Sequence, residues 1–499
     1  MARGPLNEKE SRMRILLLNP PFLPRYSRFS RSPAVTKSGT IYYPIWHAYA
    51  AGLLERAGHE VMLVDAPARG LSREECYRLA GEFMPEMTVV YTSTPSIYND
   101  VEVASCVKER LPGTFTVLTG PHVSALPEES LALDQRVDAV ARLEYDLTLV
   151  DLAARLLDGS HAATQGLTLR VDGSIRSNLD RPYLQDMDSL PFVSEVYKRH
   201  LRIEDYFYAH CRYPVVSIFT SRGCNARCVY CVYPQQAFGR RQRQRSPESI
   251  VAEFEYIEKE LPQAREVLID DDTFSVSQEH TLEFCELMAK KRIRLPWTVE
   301  CRANLGFETM RAMKRAGCRL IVAGFESADD TVLRKMRKGV TVERMRRFSQ
   351  DAKRAGVMLH ACFMAGNMGE TRETLMKSLA FAKELGADTC QFFPLMVYPG
   401  TEAYRWAEEN SYLTTRDFRE WLTPEGLHNC VVSTPELAAR DLVDFCDRAR
   451  RSYYLGPKYI MYKLKQGMRD PQELKKTIKS ARIFARYLFR RAGGRAEGG

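Results

Sequence analysis

The sequence predicts an α/β protein made of two successive strand-and-helix series and a basic helical C-terminal tail. Short apolar runs with strand character alternate with longer helical stretches through most of residues 13–425. Such alternation predicts parallel sheets with helices on their faces. Residues 161–210 interrupt it with punctuating prolines and a turn-like Asp172-Gly173 pair, so they are predicted to connect two domains. The strand pattern stops near residue 425, and residues 426–499 are predicted to be helical.

The first series, residues 13–160, predicts a doubly wound, Rossmann-like parallel sheet after a flexible leader at residues 1–12. Its strand candidates are residues 13–19, 59–65, 87–93, 114–119 and 138–141. Ligands of such sheets bind beyond the carboxyl ends of the strands. The loops at residues 19–21, 92–95 and 119–122 should therefore line one crevice.

The second series, residues 211–425, predicts a partial (β/α)6 barrel. Its strand candidates are residues 215–221, 266–270, 297–301, 320–324, 358–364 and 389–395. In a parallel barrel the active-site residues lie at the carboxyl ends of the strands. The second strand ends at Asp270, Asp271 and Asp272, and a role in the site is favoured over solubilising charge for these carboxylates.

Composition favours an intracellular enzyme. The chain of 499 residues is 45% hydrophobic and 27% charged, which is typical of ordinary folded domains. Its thirteen cysteines have irregular spacings, no signal peptide is evident, and no apolar run approaches a membrane span. We therefore expect a cytoplasmic protein, with the inner face of the membrane as a further location.

The net charge of +9 is concentrated in the tail. Between Pro457 and Gly499, twelve Lys and Arg residues face three acidic ones. Apolar residues recur there at helical spacing, at Leu474, Ile478, Ala481, Ala485 and Leu488, which predicts a basic amphipathic helix. Such a helix suits peripheral contact with an anionic membrane. A solvated helix packed on the barrel is the alternative, and nucleic acid is not expected because no recognised binding module accompanies the charge.

Cys224, Cys228 and Cys231 form a C-x3-C-x2-C motif directly after the first barrel strand. Three thiolates on a four-iron cluster leave one iron free to bind a further ligand. A zinc site would need a fourth ligand, and no second C-x2-C or H-x3-H pair lies nearby. The motif therefore predicts a [4Fe-4S] cluster held by these three cysteines.

This motif, with Tyr230 just before its last cysteine, resembles that of the radical S-adenosylmethionine (SAM) superfamily. The resemblance implies that SAM binds the open iron and is cleaved reductively, with flavodoxin or ferredoxin as the reductant, to a 5'-deoxyadenosyl radical. It implies SAM contacts from Tyr230, from Asp271 and Asp272, from Glu326 and Ser327, and from Gly366. No side chain is assigned a catalytic role by the sequence.

The first domain resembles the cobalamin-binding domain that precedes many radical SAM barrels. The resemblance rests on Asn19-Pro20-Pro21, on Thr92-Ser93-Thr94 and on Gly120-Pro121-His122, and it implies cofactor contacts from Thr94 and Gly120. No Asp-x-His-x-x-Gly segment is present, so no histidine ligand to cobalt is indicated. Thr119 and Leu143 stand where related proteins have glycine, so bound cobalamin and a vestigial domain remain alternatives.

Over most of its length the chain resembles hopanoid-biosynthesis-associated radical SAM proteins, through Thr92–Ser96, residues 190–199, Pro234-Gln235 and residues 271–274. That resemblance implies lipid biosynthesis, with modification of a hopanoid headgroup as the leading function. The alternative is a cobalamin-dependent methyltransferase acting on an unactivated carbon. A nonenzymatic iron-sulfur or nucleic-acid-binding protein would leave the polar strand ends unexplained.

Overall fold

The computed structural model describes residues 12–488, and these form two open parallel sheets and a C-terminal group of helices. The predicted leader therefore lies outside the described residues apart from Arg12. Residues 489–499 of the predicted tail also lie outside them.

The first sheet is Rossmann-like and has helices on both faces. Its strands are β1 (Arg14–Asn19), β2 (Glu60–Asp65), β3 (Met87–Tyr91), β4 (Phe115–Thr119), β5 (Ala139–Ala141), β6 (Leu167–Val171) and β7 (Ser174–Ser177). Its helices are α1 (Ile45–Arg56), α2 (Ala66–Arg69), α3 (Arg73–Phe83), α4 (Ile97–Arg110), α5 (Pro121–Ala125), α6 (Pro127–Ala132) and α7 (Asp146–Asp158). Strands β2-β1-β3-β4-β5 are parallel in that order. Ile15 and Leu17 face one apolar core and Leu16 and Leu18 another, because successive side chains of a strand point to opposite faces.

The first part of residues 161–210, which were predicted to be a linker between the domains, forms two strands of the first domain's sheet. Strands β6 and β7 form an antiparallel hairpin that extends the first sheet beyond β5. The reason is burial, since Leu167 and Leu169 are fully buried in the larger core. A further helix, α8 (Val193–His200), follows the hairpin and packs against α1.

The second sheet is the predicted open barrel. In the described chain its strands are β8 (Val215–Ile218), β11 (Glu266–Ile269), β12 (Trp297–Arg302), β13 (Cys318–Glu326), β14 (Met358–Ala365) and β15 (Thr389–Pro394), with the short antiparallel pair β9 (Ser221–Arg222) and β10 (Arg243–Gln244) beside it. Its helices are α9 (Val232–Gln236), α10 (Pro247–Glu260), α11 (Gln278–Lys290), α12 (Phe307–Arg315), α13 (Asp330–Lys335), α14 (Val342–Ala355), α15 (Arg372–Leu385) and α16 (Glu402–Glu409). The parallel order is β15-β14-β13-β12-β11-β8. Strands β8 and β15 are therefore the two edges of an incomplete barrel, as the sequence predicts.

Three helices pack beside the β15 edge: α17 (Ala439–Tyr454), α18 (Pro457–Arg469) and α19 (Pro471–Leu488). The tail is helical from Ala439 onward, whereas residues 426–438, which were also predicted to be helical, form no helix and pair through isolated bridges at His428 and Val432. The charged side of the tail is partly turned inward. Glu473 and Lys476 are buried, whereas Leu474 and Ile478 are about two-fifths exposed, at 39% and 42%. The reason is electrostatic, because Glu473 Oε1 lies 3.0 Å from Arg319 Nη1 under the barrel. No helix within residues 12–488 is long and apolar enough to cross a membrane.

A buried ion network joins the first domain to the barrel. Arg222 Nη1 donates to Glu144 Oε1 and to Asp146 Oδ2, both at 2.6 Å, and Arg243 Nη1 donates to Glu144 Oε2 at 2.7 Å. These side chains are at most 6% exposed. The two domains are thus held in one arrangement by hydrogen-bonded charges that water does not reach.

Candidate functional site

The three predicted cluster ligands lie on the loop between β9 and α9, at the carboxyl end of the barrel. Cys224 and Cys228 are buried, and Cys231 is partly buried. Arg302 Nη1, at the end of β12, lies 3.6 Å from Cys228 Sγ. Among the described residues no group of three His, Cys, Asp or Glu side chains converges on a single metal ion. Three cysteines that each bind a different iron of a cluster do not need to converge in that way.

The three aspartates after β11 have different surroundings. Asp271 accepts four hydrogen bonds, from the backbone N–H and hydroxyl of Thr220 at 2.7 and 2.6 Å and from those of Ser221 at 3.1 and 2.7 Å. Asp271 therefore fastens the start of the cluster loop to the barrel. Asp272 is also buried, but neither of its carboxylate oxygens has a hydrogen-bond partner among the described residues. Burial raises the pKa of Asp272 to about 6.

Arg31, from the segment between β1 and α1, reaches into the barrel mouth. Its Nη1 atom lies 2.7 Å from Asp270 Oδ1 and 3.0 Å from Glu300 Oε2, and its Nη2 donates to the Asp270 carbonyl at 2.8 Å. Burial raises the pKa of Glu300 to about 8, against the effect of Arg31, and nearby Asp270 raises it further. The Glu300 carboxyl therefore holds its proton more tightly than a free carboxyl does.

A second carboxylate with a free oxygen stands at the end of β13. Glu326 Oε1 accepts from Lys338 Nζ at 2.8 Å and from the Tyr230 hydroxyl at 3.1 Å, while Oε2 has no partner in the described structure. Glu326 has a φ of +65°, next to an irregularity in the pairing of β13 with β14. Gly324 makes this possible, because a Cβ there would lie 2.3 Å from Glu326 Oε1. The bulge therefore directs Glu326 toward Tyr230 of the cluster loop.

The two remaining predicted SAM contacts lie near the ends of β13 and β14. Ser327 is fully buried, and its hydroxyl accepts from the backbone N–H of Asp329 at 3.3 Å. Gly366 has a φ of +101°, and a Cβ there would lie 2.7 Å from Leu442 Cδ1 of α17. Helix packing therefore accounts for this glycine, and its contact with adenosine stays a prediction.

The predicted cobalamin residues meet in a crevice at the carboxyl end of the first sheet. Thr94 and His122 are joined there by a 3.1 Å hydrogen bond between Oγ1 and Nδ1. Gly120 allows the close approach of β3, because a Cβ would lie 2.6 Å from the Thr92 carbonyl oxygen. Phe418 packs edge-on against His122 of this crevice, with 4.8 Å between the centres of the two rings. The remaining cavity is about 20 Å³.

The residues present suit these cofactors chemically. Two buried carboxylates with free oxygens, Asp272 and Glu326, flank the cysteine loop, and such oxygens suit the ammonium and hydroxyl groups of SAM. The hydroxyl of Ser30 lines the crevice of the first domain, is buried and has no partner in the described chain. A corrin ring requires this crevice to open, since ordinary ligand pockets measure about 300–1,000 Å³.

Sequence reasoning assigned no role to Arg31, Glu300, Arg302 or Lys338. Arg31 lies far from the barrel in sequence, within a segment that carries no motif, so no signal pointed to it. Glu300 and Arg302 lie at a strand end, which was a usable signal for a barrel-mouth position. Lys338 follows α13 in a loop, and only its 2.8 Å contact with Glu326 reveals it.

Two family models match the chain. Residues 218–382 match the radical SAM superfamily, and residues 31–153 match the B12-binding domain. The first range includes the three cysteines and the barrel carboxylates, and the second includes Thr94 and Gly120.

Several known proteins are similar over most of the chain. An uncharacterized methyltransferase of Pyrococcus horikoshii is 29% identical over 451 residues, which cover 90% of this chain and 94% of that protein. The hopanoid C-3 methylase of Methylococcus capsulatus is 25% identical over 394 residues, or 75% of this chain and 70% of that protein. The solved radical SAM methyltransferase TsrM of Kitasatospora setae has a TM-score of 0.67 and 18% identity, covering 88% of this chain and 90% of that chain.

The chain therefore contains a radical SAM domain, and it is an enzyme. It carries a B12-binding domain before its barrel. This match favours bound cobalamin over a vestigial first domain. Its cofactors are a [4Fe-4S] cluster and SAM, together with the cobalamin of the B12-binding domain.

Proposed function

We propose that this enzyme is a cobalamin-dependent methyltransferase that acts on an unactivated carbon of a small molecule or lipid. The methyltransferase alternative is favoured over the rearrangement of a hopanoid headgroup, because only the methyltransferase reaction requires the cobalamin of the B12-binding domain. The names of the Pyrococcus and Methylococcus relatives also describe methyl transfer, in the second case to a hopanoid. The hopanoid substrate itself remains one option within the proposal.

The observation that carries the proposal is the adjacency of the two cofactor regions. Tyr233 lies two residues after Cys231, lines the crevice of the first domain and donates to the Phe29 carbonyl at 2.9 Å. Arg28 is paired with Asp100 of the first domain at 2.8 Å, while Arg31, three residues later, is paired with Asp270 of the barrel. The crevice and the cluster loop therefore meet across one short segment.

When bound, the cluster and SAM supply a radical that removes hydrogen, and cobalamin supplies a methyl carrier. In this proposal Cys224, Cys228 and Cys231 hold the cluster. Asp272 accepts hydrogen bonds from the SAM ammonium, and Glu326 accepts them from SAM through its free oxygen. Arg31 neutralises Asp270, so that the barrel mouth does not carry several uncompensated buried charges.

The test is anaerobic reconstitution with iron, sulfide and cobalamin, followed by incubation with a reductant and SAM that carries a deuterated methyl group. We expect 5'-deoxyadenosine and S-adenosylhomocysteine together, and labelled methyl in a product when a membrane-lipid extract is added. The variant Cys228→Ser should lose cluster iron and both nucleoside products, whereas Cys106→Ser, on helix α4 of the first domain, should retain them. Sustained 5'-deoxyadenosine release without S-adenosylhomocysteine would contradict methyl transfer.

We further propose that α18 contacts an anionic membrane. Ile460, Met461, Leu464 and Met468 are between 46% and 78% exposed, and Lys465 and Arg469 lie among them. An apolar helix face bordered by cations suits the surface of a bilayer, where each Lys or Arg adds about 1 kcal/mol. The double variant Leu464→Glu and Met468→Glu should lose sedimentation with phosphatidylglycerol vesicles. Retention of vesicle binding by that variant would contradict the contact.

A further inference from the structure

The gap between the two edge strands of the barrel contains a cavity of about 480 Å³. On one side lies the whole of β15, and on the other lie Ala209 and His210, just before β8. The segment 35–42 and helices α17, α18 and α19 complete the wall. A cavity of this size is in the range of small-molecule sites, whereas the crevice of the first domain is not.

Most of the cavity wall is apolar. Phe392 and Phe393 of β15 line it together with Val443 of α17, Ile460 of α18 and Ala481 of α19. A wall of this kind binds ligands by removing their apolar surface from water. A ligand with a large apolar surface therefore suits this cavity.

One part of the wall carries nitrogen groups with unused hydrogen-bonding capacity. Lys463 is buried, and its Nζ atom donates to Gln466 Oε1 at 2.8 Å but has no carboxylate partner among the described residues. His210 Nε2 is buried and has no partner in residues 12–488. Lys476 lines the same part of the cavity, paired with Glu473 at 2.8 Å. A buried ammonium group that no carboxylate contacts directly favours an anionic ligand.

The cavity also approaches the predicted radical site. His428 lines it, and His428 Nε2 lies 2.9 Å from Ser32 Oγ, the neighbour of Arg31 in the barrel mouth. Tyr42 lines it as well, and burial together with the charges of Asp270 and Glu300 raises the pKa of Tyr42 well above its ordinary value. An occupant can thus extend from Lys463 toward the carboxylates around Arg31.

We propose that this cavity is the substrate site and that it takes an apolar molecule bearing one anionic group, a carboxylate or a phosphate, held near Lys463. As a substrate site it rests on the proposed methyl transfer, but binding to it can be measured without turnover. Leu455 and Ile460 of the cavity wall are 45% and 46% exposed. The entrance therefore adjoins the apolar face of α18, so that a lipid-borne substrate could enter from the membrane.

The experiment uses the reconstituted full chain and a dansyl-labelled undecanoate whose fluorescence rises in an apolar site. Displacement by decanoate should be about tenfold or more stronger than displacement by decanol, because only decanoate carries a negative charge that can pair with the ammonium group of Lys463. Lys463→Met should abolish this preference, while Lys458→Met, at an exposed lysine of the same helix outside the cavity wall, should preserve it. Decyl phosphate in place of decanoate distinguishes a phosphate site from a carboxylate site.

Val443→Trp and Ala481→Phe each fill the cavity from a different helix, and both should weaken the probe and all competitors at least tenfold, with unchanged circular dichroism. The proposal would be overturned if both variants bound the probe as the wild type does. It would also be overturned if Lys463→Met kept the wild-type preference for both decanoate and decyl phosphate over decanol. The nucleoside assay is read separately on the same samples. Probe binding with the expected variant effects but without S-adenosylhomocysteine would overturn the methyltransferase proposal and leave the cavity as an anionic-amphiphile site.

Discussion

Arg31 and Asp270 lie 239 residues apart in sequence, yet Arg31 Nη1 donates to Asp270 Oδ1 at 2.7 Å. The contact joins the segment after β1 to the carboxyl end of β11. It places a cation from the B12-binding domain among the carboxylates of the radical SAM barrel. The barrel mouth is therefore completed by residues from outside the barrel.

The replacement Glu300→Gln should flatten the pH dependence of stability. The folded chain raises the pKa of Glu300 from 4.5 to about 8, so between these values it retains a proton that the unfolded chain releases. The contribution of protonated Glu300 to the free energy of unfolding is then fully present below about pH 4.5, and it is lost as the pH rises through about 8. We expect the free energy of unfolding of the cluster-free wild type, measured by urea denaturation, to fall across this window by on the order of 1–3 kcal/mol more than that of Glu300→Gln. Parallel curves for the two proteins would contradict the raised pKa.

Asp272→Asn should weaken SAM binding without unfolding the barrel. The carboxylate has no hydrogen-bond partner in the described structure and its one cation, Arg31, lies 3.8 Å away, so its replacement removes little that holds the barrel together. A hydrogen bond to a charged group contributes about 1.5–3 kcal/mol, so the dissociation constant should rise about 10- to 100-fold. Equilibrium dialysis of the reconstituted protein with SAM measures this change.

Asp271→Asn is the matched comparison for Asp272. Because Asp271 accepts four hydrogen bonds from Thr220 and Ser221, its replacement should lower the thermal midpoint and the iron content. The protein that still folds should bind SAM with nearly wild-type affinity. The opposite ranking of the two variants in SAM affinity would assign the SAM contact to Asp271.

Arg222→Met should destabilise the junction of the two domains. The side chain of Arg222 is fully buried, and its removal leaves Asp146 without an ionic partner while Glu144 keeps only Arg243. Breaking a buried pair costs about 3–5 kcal/mol. Urea unfolding should therefore begin at a lower concentration, with the domains separating first. Arg110→Met breaks an exposed pair with Glu74 and should cost no more than about 1 kcal/mol.

Phe418→Ala should accelerate the uptake of cobalamin. The ring of Phe418 lies against His122 and Tyr98, at 4.8 and 6.3 Å between ring centres, over a crevice of about 20 Å³. Removing the ring takes away a group that a corrin would have to displace. Stopped-flow absorbance of hydroxocobalamin mixed with the protein measures the rate. Phe115→Ala removes a similar contact with His161, 5.3 Å between ring centres, at the start of β4, and an equal acceleration there would contradict the role of Phe418.

The sequence by itself determined the two series of strands, the cysteine loop and the acidic end of β11. These features are local: apolar periodicity follows directly from burial, and cluster ligands lie within eight residues of one another. Asp271 and Asp272 were both singled out from the sequence, but their different surroundings were not, because the partners Thr220 and Ser221 come from another strand.

The tertiary structure alone decided what fills the space between the elements. Arg31 enters the barrel mouth, Lys463 and Lys476 turn inward from a tail predicted to be basic on its outside, and β15 is left as an open edge beside a cavity. Each of these depends on contacts between residues far apart in the chain, whose energies no local pattern contains. The physical reason is that burial and charge pairing are properties of the folded surface, whereas periodicity and motif spacing are properties of the chain.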